Sequence, residues 1–177
     1  HVAKNAYVGI CRVGDDVVNV CGLFRRRDAE ASRGGPLNWL RGTAGSPLFD
    51  RLLSAEFEKS SVCAVGGLSL RPPPLAAGEC RIGDAFTMIP PITGNGMSMA
   101  LESADLAVEP LASYADGAWD WGSATQAIAH RLQENFARRL RWAGGFHHAL
   151  FSSWGGTALR LVFKFEPAWR AAFATTR

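Results

Sequence analysis

Hydrophobic and polar positions alternate near the start of the chain in the way that a β-hairpin requires. The segments AYVGICRV and VVNVCGLF, within residues 6–24, are rich in β-branched and aromatic residues. The letters GDD between them supply turn residues. The pattern predicts two antiparallel strands joined by a short turn, followed by a polar loop over residues 25–35.

The next part of the chain predicts one helix and two more strands. Ser46 and Pro47 give an N-cap and a proline at the first helical position, and the apolar spacing after them predicts a helix over 47–58. SVCAVGGLSLR, residues 61–71, predicts another strand, which three prolines end. GECRIGD, residues 78–84, predicts a short strand.

Helical periodicity follows the strand predicted over residues 78–84. A helix that begins after Gly96 would place five apolar residues on one face, and Pro110 should end or kink it because proline has no amide donor. These five residues are Met97, Ala100, Leu101, Ala104 and Val108.

A longer amphipathic helix is predicted from Ser123 to about Trp142, with Ser123 as the N-cap of a capping box. Two consecutive glycines, Gly144 and Gly145, should interrupt it. A last helical stretch is predicted from Thr157 and should be broken near Pro167.

This order of elements predicts an α+β fold in three parts. Residues 1–75 would hold part of a β-sheet with one or two helices, residues 76–115 a strand–loop–helix, and residues 116–177 a helical region. Because the sequence opens on HVAK and runs almost at once into a strand, we expect residue 1 to lie inside a longer polypeptide.

Composition limits the classes of protein that the chain can belong to. A hydrophobic fraction of 47% and a charged fraction of 20% are typical of a soluble globular protein. The net charge of +3 gives no reason to expect nucleic acid as a partner. One predicted helix carries a basic face, which favours a solvated surface, with a peripheral contact to an anionic membrane as the alternative. Its arginines are Arg131, Arg138, Arg139 and Arg141.

Cysteine spacing predicts neither a metal site nor a disulfide framework. The four cysteines, at positions 11, 21, 63 and 80, form no C-x-x-C pair, and we expect buried free thiols. Cys11 and Cys21 could approach each other across the hairpin. The chain has no apolar run of roughly 18 residues and no signal peptide, so the predicted compartment is the cytoplasm, with a membrane-peripheral position as the alternative.

The stretch RIGDAFTMIPPITGNGMSMALESADLA, residues 81–107, places three different chemistries in series. Asp84 is an acceptor that suits the hydroxyl groups of a polyol. Pro90 and Pro91 form a stiff wall without amide donors, against which an aromatic ring can lie flat.

The next residues of this stretch, Gly94, Asn95 and Gly96, let the backbone approach a ligand closely. The helix that starts at Met97 exposes unpaired amides with partial positive charge. A polyol acceptor, a flat wall and a helix end that favours an anion together indicate a flavin site. The pattern is not the phosphate-binding G-x-G-x-x-G, because residue 99 is methionine.

The same stretch resembles the second FAD-binding motif of the para-hydroxybenzoate hydroxylase-like flavoproteins, which include aromatic-ring monooxygenases, geranylgeranyl reductases and flavin-dependent halogenases. The resemblance implies a fragment of a PHBH-type fold in which Gly83 and Asp84 meet the ribityl chain of FAD. The segment from Pro90 to Gly96 would line the isoalloxazine ring, and Met97 would start the helix.

The resemblance extends to the hairpin, which is similar to returning strands of the family's substrate-binding sheet. It implies that residues 1–75 hold part of that sheet and that residues 76–115 close the FAD site. The implied activity is that of an FAD-dependent oxidoreductase, a monooxygenase or a reductase, acting on an apolar or aromatic substrate with NAD(P)H as electron donor.

The branch of the family stays open. Prenyl reductases of archaeal type carry a Y-x-W-x-F-P run in the matching strand, whereas here Tyr7 is followed by Gly9, Cys11 and Arg12 at the other positions. A halogenase is an alternative within the same class. The alternative outside it is a non-catalytic module that binds an apolar ligand on a sheet formed by residues 6–24 and 61–70.

The remaining candidates favour structural roles, and no catalytic residue can be named. His147 and His148 are adjacent, so on a helix they do not face one metal ion, and no metal site is predicted. His130 is predicted to be a surface residue. The tryptophans are predicted to pack in loops, for Trp119 and Trp121, or in the core and between helices, for Trp142, Trp154 and Trp169.

Overall fold

The computed structural model describes residues 1–3, 6–25, 35–152, 166–167 and 170, in two compact units. The first holds the described residues up to Leu68 together with residues 150–152, and the second holds the described residues from Ser69 to Ala149 and the last three. The strands are β1 (Val2–Ala3), β2 (Ala6–Arg12) and β3 (Val18–Phe24), and the helices are α1 (Pro36–Arg41), α2 (Pro47–Leu52), α3 (Gly96–Ala115) and α4 (Trp121–Leu150). Three 3-10 turns span Lys59–Ser61, Gly83–Ala85 and Pro91–Thr93.

The predicted hairpin is confirmed, and a third strand extends it. β2 pairs antiparallel with β3 from Ala6 opposite Phe24 to Arg12 opposite Val18. β1 pairs with the other edge of β2, which gives the order β1-β2-β3. A three-stranded antiparallel sheet combined with helices agrees with the α+β prediction at the level of class.

One face of this sheet packs against α2. Val8 is buried there with Leu48 and Leu52, which are four residues apart and therefore lie on the same side of the helix. Partly buried neighbours complete the cluster: Ile10, Val20, Phe24, Leu40 and Ala55. Because side chains alternate along a strand, the residues between these positions point to the opposite face of the sheet.

Helix α2 begins as predicted but is shorter than expected. The Ser46 hydroxyl accepts a hydrogen bond from the Phe49 amide at 3.2 Å, so Ser46 is the N-cap. The helix ends at Leu52 instead of residue 58. Beyond this end, Arg41 of α1 donates to the Ala55 carbonyl at 2.6 Å.

The strands predicted over residues 61–71 and 78–84 are wrong, because neither segment pairs with a neighbour. A strand depends on hydrogen bonds to an adjacent strand, and the apolar pattern alone does not provide them. Residues 83–85 form a 3-10 turn instead. Side-chain contacts hold the segment before this turn, where the Trp121 indole donates to the Gly78 carbonyl at 2.7 Å.

Helices α3 and α4 form an antiparallel pair that contains the core of the second unit. The core consists of Phe86, Ile89, Met99, Ala107, Ile128, Leu132, Phe136 and Ala143.

Two ion pairs fix the register of α3 and α4, Arg131 with Glu109 and Arg139 with Glu102, each at 2.8 Å. The hydrogen bond from Arg131, assisted by its charge, lowers the pKa of Glu109 below its ordinary value. The ion pair therefore stabilises the folded protein at pH values above the ordinary pKa of Glu109. This contribution is lost as the pH falls through the lowered pKa.

The apolar face predicted for α3 lies mostly in solvent. Met97, Leu101 and Val108 are 83%, 74% and 61% exposed, and Ala104 is exposed as well. The buried residues of α3 are Met99, Ser103, Ala107 and Pro110. Helix α3 has small or apolar residues on both faces, so hydrophobic spacing could not decide which one packs against α4.

Both long helices continue past the residues that were expected to break them. Pro110 lies inside α3, which runs on to Ala115. Its ring is buried, so packing offsets the missing hydrogen bond. Helix α4 continues through Gly144 and Gly145. Its N-cap is Asp120, not Ser123, because the Asp120 carboxylate accepts from the Ser123 amide at 2.6 Å.

The four cysteines are exposed free thiols, which contradicts the expectation that they are buried. Cys11 and Cys21 lie on the sheet face that does not pack against α2, because they occupy the alternate positions of the two strands. None of the helices in the described ranges combines the length and apolar character that a bilayer crossing needs. Most of the predicted polar loop, and the last predicted helical stretch from Thr157 to residue 165, lie outside the described residues.

Two glycine-to-alanine changes should have opposite effects on stability. Gly144 lies inside α4 with open space around its Cα, so Gly144→Ala should stabilise the protein by roughly 0.5–1 kcal/mol through lower backbone entropy in the unfolded chain. Gly117, in the turn before α4, has φ +73°, so Gly117→Ala should destabilise by about 1 kcal/mol or more. Thermal unfolding followed by circular dichroism measures both. A lower melting temperature for Gly144→Ala would contradict a continuous α4.

Candidate functional site

A buried hydrogen bond attaches the Gly83–Ala85 turn to α3. The Gly83 amide donates to the Ser103 hydroxyl at 2.7 Å. That hydroxyl donates in turn to the Ala100 carbonyl at 2.6 Å, within the helix. The Phe86 and Thr87 amides both donate to the Gly83 carbonyl, at 3.0 and 3.1 Å. Both polar groups of the Gly83 backbone are therefore paired.

Only glycine fits at position 83. Its φ is +57°, in the left-handed region that residues with a side chain avoid. A Cβ at this position would lie 3.3 Å from the Ala100 Cβ, which is a tight contact. The backbone of the turn therefore lies directly against the second turn of α3.

Asp84 follows this fixed glycine and points to solvent. It is exposed, and no hydrogen bond or ion pair involves it in the described part of the chain. Its position is nevertheless restrained, because Gly83 and the buried Phe86 on either side are held in place. The structure therefore places on a rigid turn a carboxylate that has no partner among the described residues.

The two prolines differ in their surroundings. Pro90 is buried, next to Ile89, whereas Pro91 is exposed and begins the 3-10 turn Pro91–Thr93. The Thr93 hydroxyl donates to the Pro90 carbonyl at 3.0 Å and closes the turn. Gly94 ends it with φ +65°, again in the left-handed region.

Helix α3 begins immediately after this turn with amides that no side chain caps. Asn95 is the N-cap residue, and its carbonyl accepts from the Met99 amide at 2.9 Å, but its side chain makes no capping bond. The first turn contains no acidic residue. The amides of Gly96, Met97 and Ser98 thus give this end of α3 a partial positive charge.

Gly96 is different from the other glycines of this segment. A Cβ at this position would meet only the Ile89 side chain, at 3.9 Å, which is an ordinary contact. Its φ is not in the left-handed region. The fold itself does not require glycine here, whereas Gly83 and Gly94 are required by their backbone conformation.

The predicted site residues therefore form two segments next to the start of α3. Gly83 contacts Ala100, which follows Gly96 by about one helical turn, so the Asp84 turn and the helix start are neighbours. Of the eight predicted residues, Gly83, Pro90 and Asn95 are buried and belong to the framework. Those with exposed surface are Asp84, Pro91, Gly94, Gly96 and Met97.

Ser103 is a residue of this framework that sequence reasoning did not identify. It stands in the run MALESADLA, where a small polar residue on an otherwise apolar helix face is the only signal. Seven residues separate it from Gly96, which places the two on nearly the same side of α3.

Other candidate residues show no arrangement typical of a catalytic centre. His130 is exposed, as predicted, and lies 3.3 Å from Glu134. Trp142 is 52% exposed, so its predicted packing in the core or between helices is wrong, and Trp154 and Trp169 lie outside the described residues. No group of three metal-ligating side chains occurs among the described residues.

An open surface groove of about 480 Å³ occurs in the second unit, but none of its lining residues belongs to the motif. The groove is lined by Trp119, Ser123, Gln126, Ala127, His130 and Arg131. Arg131 already pairs with Glu109, so little free positive charge faces the groove.

Comparison of the sequence with protein-family models, with curated proteins and with solved structures gave no match.

Removing the Ser103 hydroxyl should loosen the attachment of the turn to α3. Ser103→Ala leaves the buried Gly83 amide without an acceptor, which should cost about 1–3 kcal/mol of unfolding free energy. Ser98→Ala, an exposed change on the same helix, should stay within about 0.5 kcal/mol of the unmodified chain. Urea unfolding measures both variants. Equal losses for the two serines would contradict the role of the hydrogen bond.

Proposed function

We propose that this chain closes the flavin site of an FAD-dependent oxidoreductase of the para-hydroxybenzoate hydroxylase-like class. The observation that carries the proposal is Gly96. The fold does not need glycine at this position, yet it stands at an uncapped helix end beside an unpartnered carboxylate. A ligand that approaches the backbone closely explains why a side chain is missing there.

Each exposed part of the site would meet a different part of the flavin. The Asp84 carboxylate would accept hydrogen bonds from the ribityl hydroxyls, since an ionised carboxylate is an acceptor only. Pro91 would lie along the ring without presenting an amide. The amides at the start of α3 would face the N1–C2=O edge of the ring and favour the negative charge that this edge carries when the flavin is reduced.

FAD would supply the redox chemistry when bound, and NAD(P)H is the electron donor that the resemblance implies. The chain's own residues would position the ring, bind the ribityl group and stabilise charge. The substrate class is an apolar or aromatic organic compound, and the reaction is a hydroxylation or a reduction. Flavin-dependent halogenation stays an alternative within the class. No described residue has the environment of a general acid or base.

The chain would hold only the riboflavin half of FAD. Its sequence contains no G-x-G-x-x-G, the motif that binds the ADP half between a strand and a helix. We therefore expect weak flavin binding by this chain alone. The PHBH-type fold and the assignment of residues 1–75 to a substrate-binding sheet belong to the same proposal.

The structure gives less support to a non-catalytic module that binds an apolar ligand on its sheet. Residues 61–70 do not join the sheet. The centre of its open face carries Gly9 opposite Cys21 and Cys11 opposite Asn19, and all four residues are small or polar. An apolar ligand would find little hydrophobic area there.

A peripheral membrane contact through the arginines of α4 also has limited support. Arg131 and Arg139 are each paired with a glutamate of α3, so they do not present free charge. Arg138 and Arg141 form no ion pair with the described residues. We propose a cytoplasmic protein.

Asp84 provides the direct test of the flavin proposal. Asp84→Ala removes the ribityl acceptor and should weaken riboflavin and FAD binding by about tenfold or more, from the roughly 1.5–3 kcal/mol of a hydrogen bond to a charged group. Asp84→Asn keeps an acceptor and should be milder. Quenching of flavin fluorescence on titration with the purified chain gives the affinities.

Asp50→Ala is the matched control, because Asp50 is an exposed carboxylate in the other unit and should leave flavin binding unchanged. Equal affinities for the unmodified chain and both Asp84 variants would remove the ribityl role. No detectable flavin binding at millimolar chain concentration would remove the flavin proposal itself.

Gly96→Ala should separate ligand binding from folding. The added methyl group meets nothing closer than 3.9 Å, so the melting temperature and far-UV circular dichroism should be preserved. Flavin affinity should fall, because the methyl group would keep the ring away from the helix amides. Unchanged flavin affinity in a folded Gly96→Ala variant would show that the glycine does not serve the ligand.

A further inference from the structure

The Ser103 hydroxyl bonds the Gly83–Ala85 turn and α3 at the same time. It accepts from the Gly83 amide at 2.7 Å and donates to the Ala100 carbonyl at 2.6 Å. Because the hydroxyl proton goes to the helix, a lone pair of the oxygen is left for the amide of the turn. Ser103 is only 1% exposed, so water has little access to either hydrogen bond.

The turn contacts α3 at a second point, close to the first. A Cβ on Gly83 would lie 3.3 Å from the Ala100 Cβ, and Ala100 and Ser103 share one side of the helix. Two contacts restrain the orientation of the turn as well as its position. The Gly83 carbonyl also accepts from the Phe86 amide at 3.0 Å, which closes the turn around Asp84. The position of the Asp84 carboxylate relative to α3 therefore depends on these contacts.

The uncapped start of α3 lies on the same side of the helix as the turn. Gly96 precedes Ala100 by four residues and Ser103 by seven, which places all three on nearly one side. At 1.5 Å per residue, Gly96 is about 6 Å from Ala100 along the helix axis. The bond to Ser103 therefore helps to hold Asp84 at a fixed separation from the exposed amides of the helix start.

We propose that Ser103 is a positioning residue that makes the site selective for flavins with a ribityl chain, a role that rests on the proposed flavin function. Two linked parts of a ligand bind together only where the protein holds their partners at a matching separation. A turn that leaves α3 part of the time lowers the affinity by the fraction of time that it is in place. A flavin without a ribityl chain does not use Asp84, so loosening the turn leaves its binding unchanged.

Riboflavin and lumiflavin are the probes that separate the two parts of the site. They share the ring, but lumiflavin carries a methyl group in place of the ribityl chain. The unmodified chain should bind riboflavin about tenfold or more tightly than lumiflavin, from the strength of a hydrogen bond to a charged group. Ser103→Ala should reduce this ratio by about threefold or more and leave the affinity for lumiflavin unchanged. Quenching of flavin fluorescence gives both affinities.

Ser103→Thr is the variant that should rescue the ratio. Threonine keeps the hydroxyl, and in a helix this hydroxyl can bond to a carbonyl three or four residues earlier, as that of Ser103 does with Ala100. The riboflavin-to-lumiflavin ratio should therefore stay close to that of the unmodified chain. Far-UV circular dichroism checks that each variant is folded.

Two controls separate positioning from a general loss of stability. Ile128→Val removes one buried methyl group from α4, so it should lower the melting temperature and leave the ratio of affinities unchanged. Ser113→Ala changes another serine of α3, whose hydroxyl makes no hydrogen bond within the described residues, and it should alter neither quantity.

Hydrogen exchange tests the attachment of the turn without any ligand. The Phe86 and Thr87 amides are bonded to the Gly83 carbonyl, so they exchange when the turn opens. Ser103→Ala should speed their exchange by about tenfold or more, and Ser103→Thr should keep it slow.

The two flavins distinguish a failure of the role of Ser103 from a failure of the proposed function. An unmodified chain that binds neither flavin would overturn the proposed function and the selectivity with it. An unchanged ratio in a folded Ser103→Ala variant would overturn the role of Ser103 and leave the flavin site standing. Equal losses of affinity for both flavins would show that Ser103 serves only stability. Unchanged exchange of the turn amides would show that the turn is held without Ser103.

Discussion

The hydrogen bond from the Gly83 amide to the Ser103 hydroxyl is the interaction on which the second unit depends. It gives the buried Gly83 amide an acceptor, and losing this hydrogen bond would cost about 1–3 kcal/mol of unfolding free energy. It also fixes one point of the Gly83–Ala85 turn to one residue of α3, in a position where the left-handed backbone and the contact with Ala100 admit only glycine. The location of Asp84 follows from this attachment.

The same bond lies on the buried face of α3. Because Ser103 must face the turn, Met99 and Ala107, four residues before and after it, face the core with it. The two ion pairs between α3 and α4 agree with this rotation. The apolar residues on the other side, such as Leu101, then remain exposed.

Local chemistry was predictable from the sequence, whereas long-range pairing was not. The hairpin and the start of α2 depend on neighbouring residues, and both predictions are confirmed. The strands at 61–71 and 78–84 failed because a strand needs a partner that the apolar pattern does not reveal. The length of α4 was also underestimated, because Gly144 and Gly145 weaken a helix without ending it.

The candidate site shows the same division between local and long-range information. The order of Asp84, the prolines and the glycines could be read directly, but Ser103 could not, because its role depends on a contact across 20 residues of sequence. The structure also shows which of the glycines in this segment the fold requires. Gly83 and Gly94 are explained by backbone conformation, so they would be present with or without a ligand. Of these three glycines, only Gly96 is not required by its backbone conformation or by a close neighbour. In the proposed flavin site, its missing side chain would let the ring approach the helix amides.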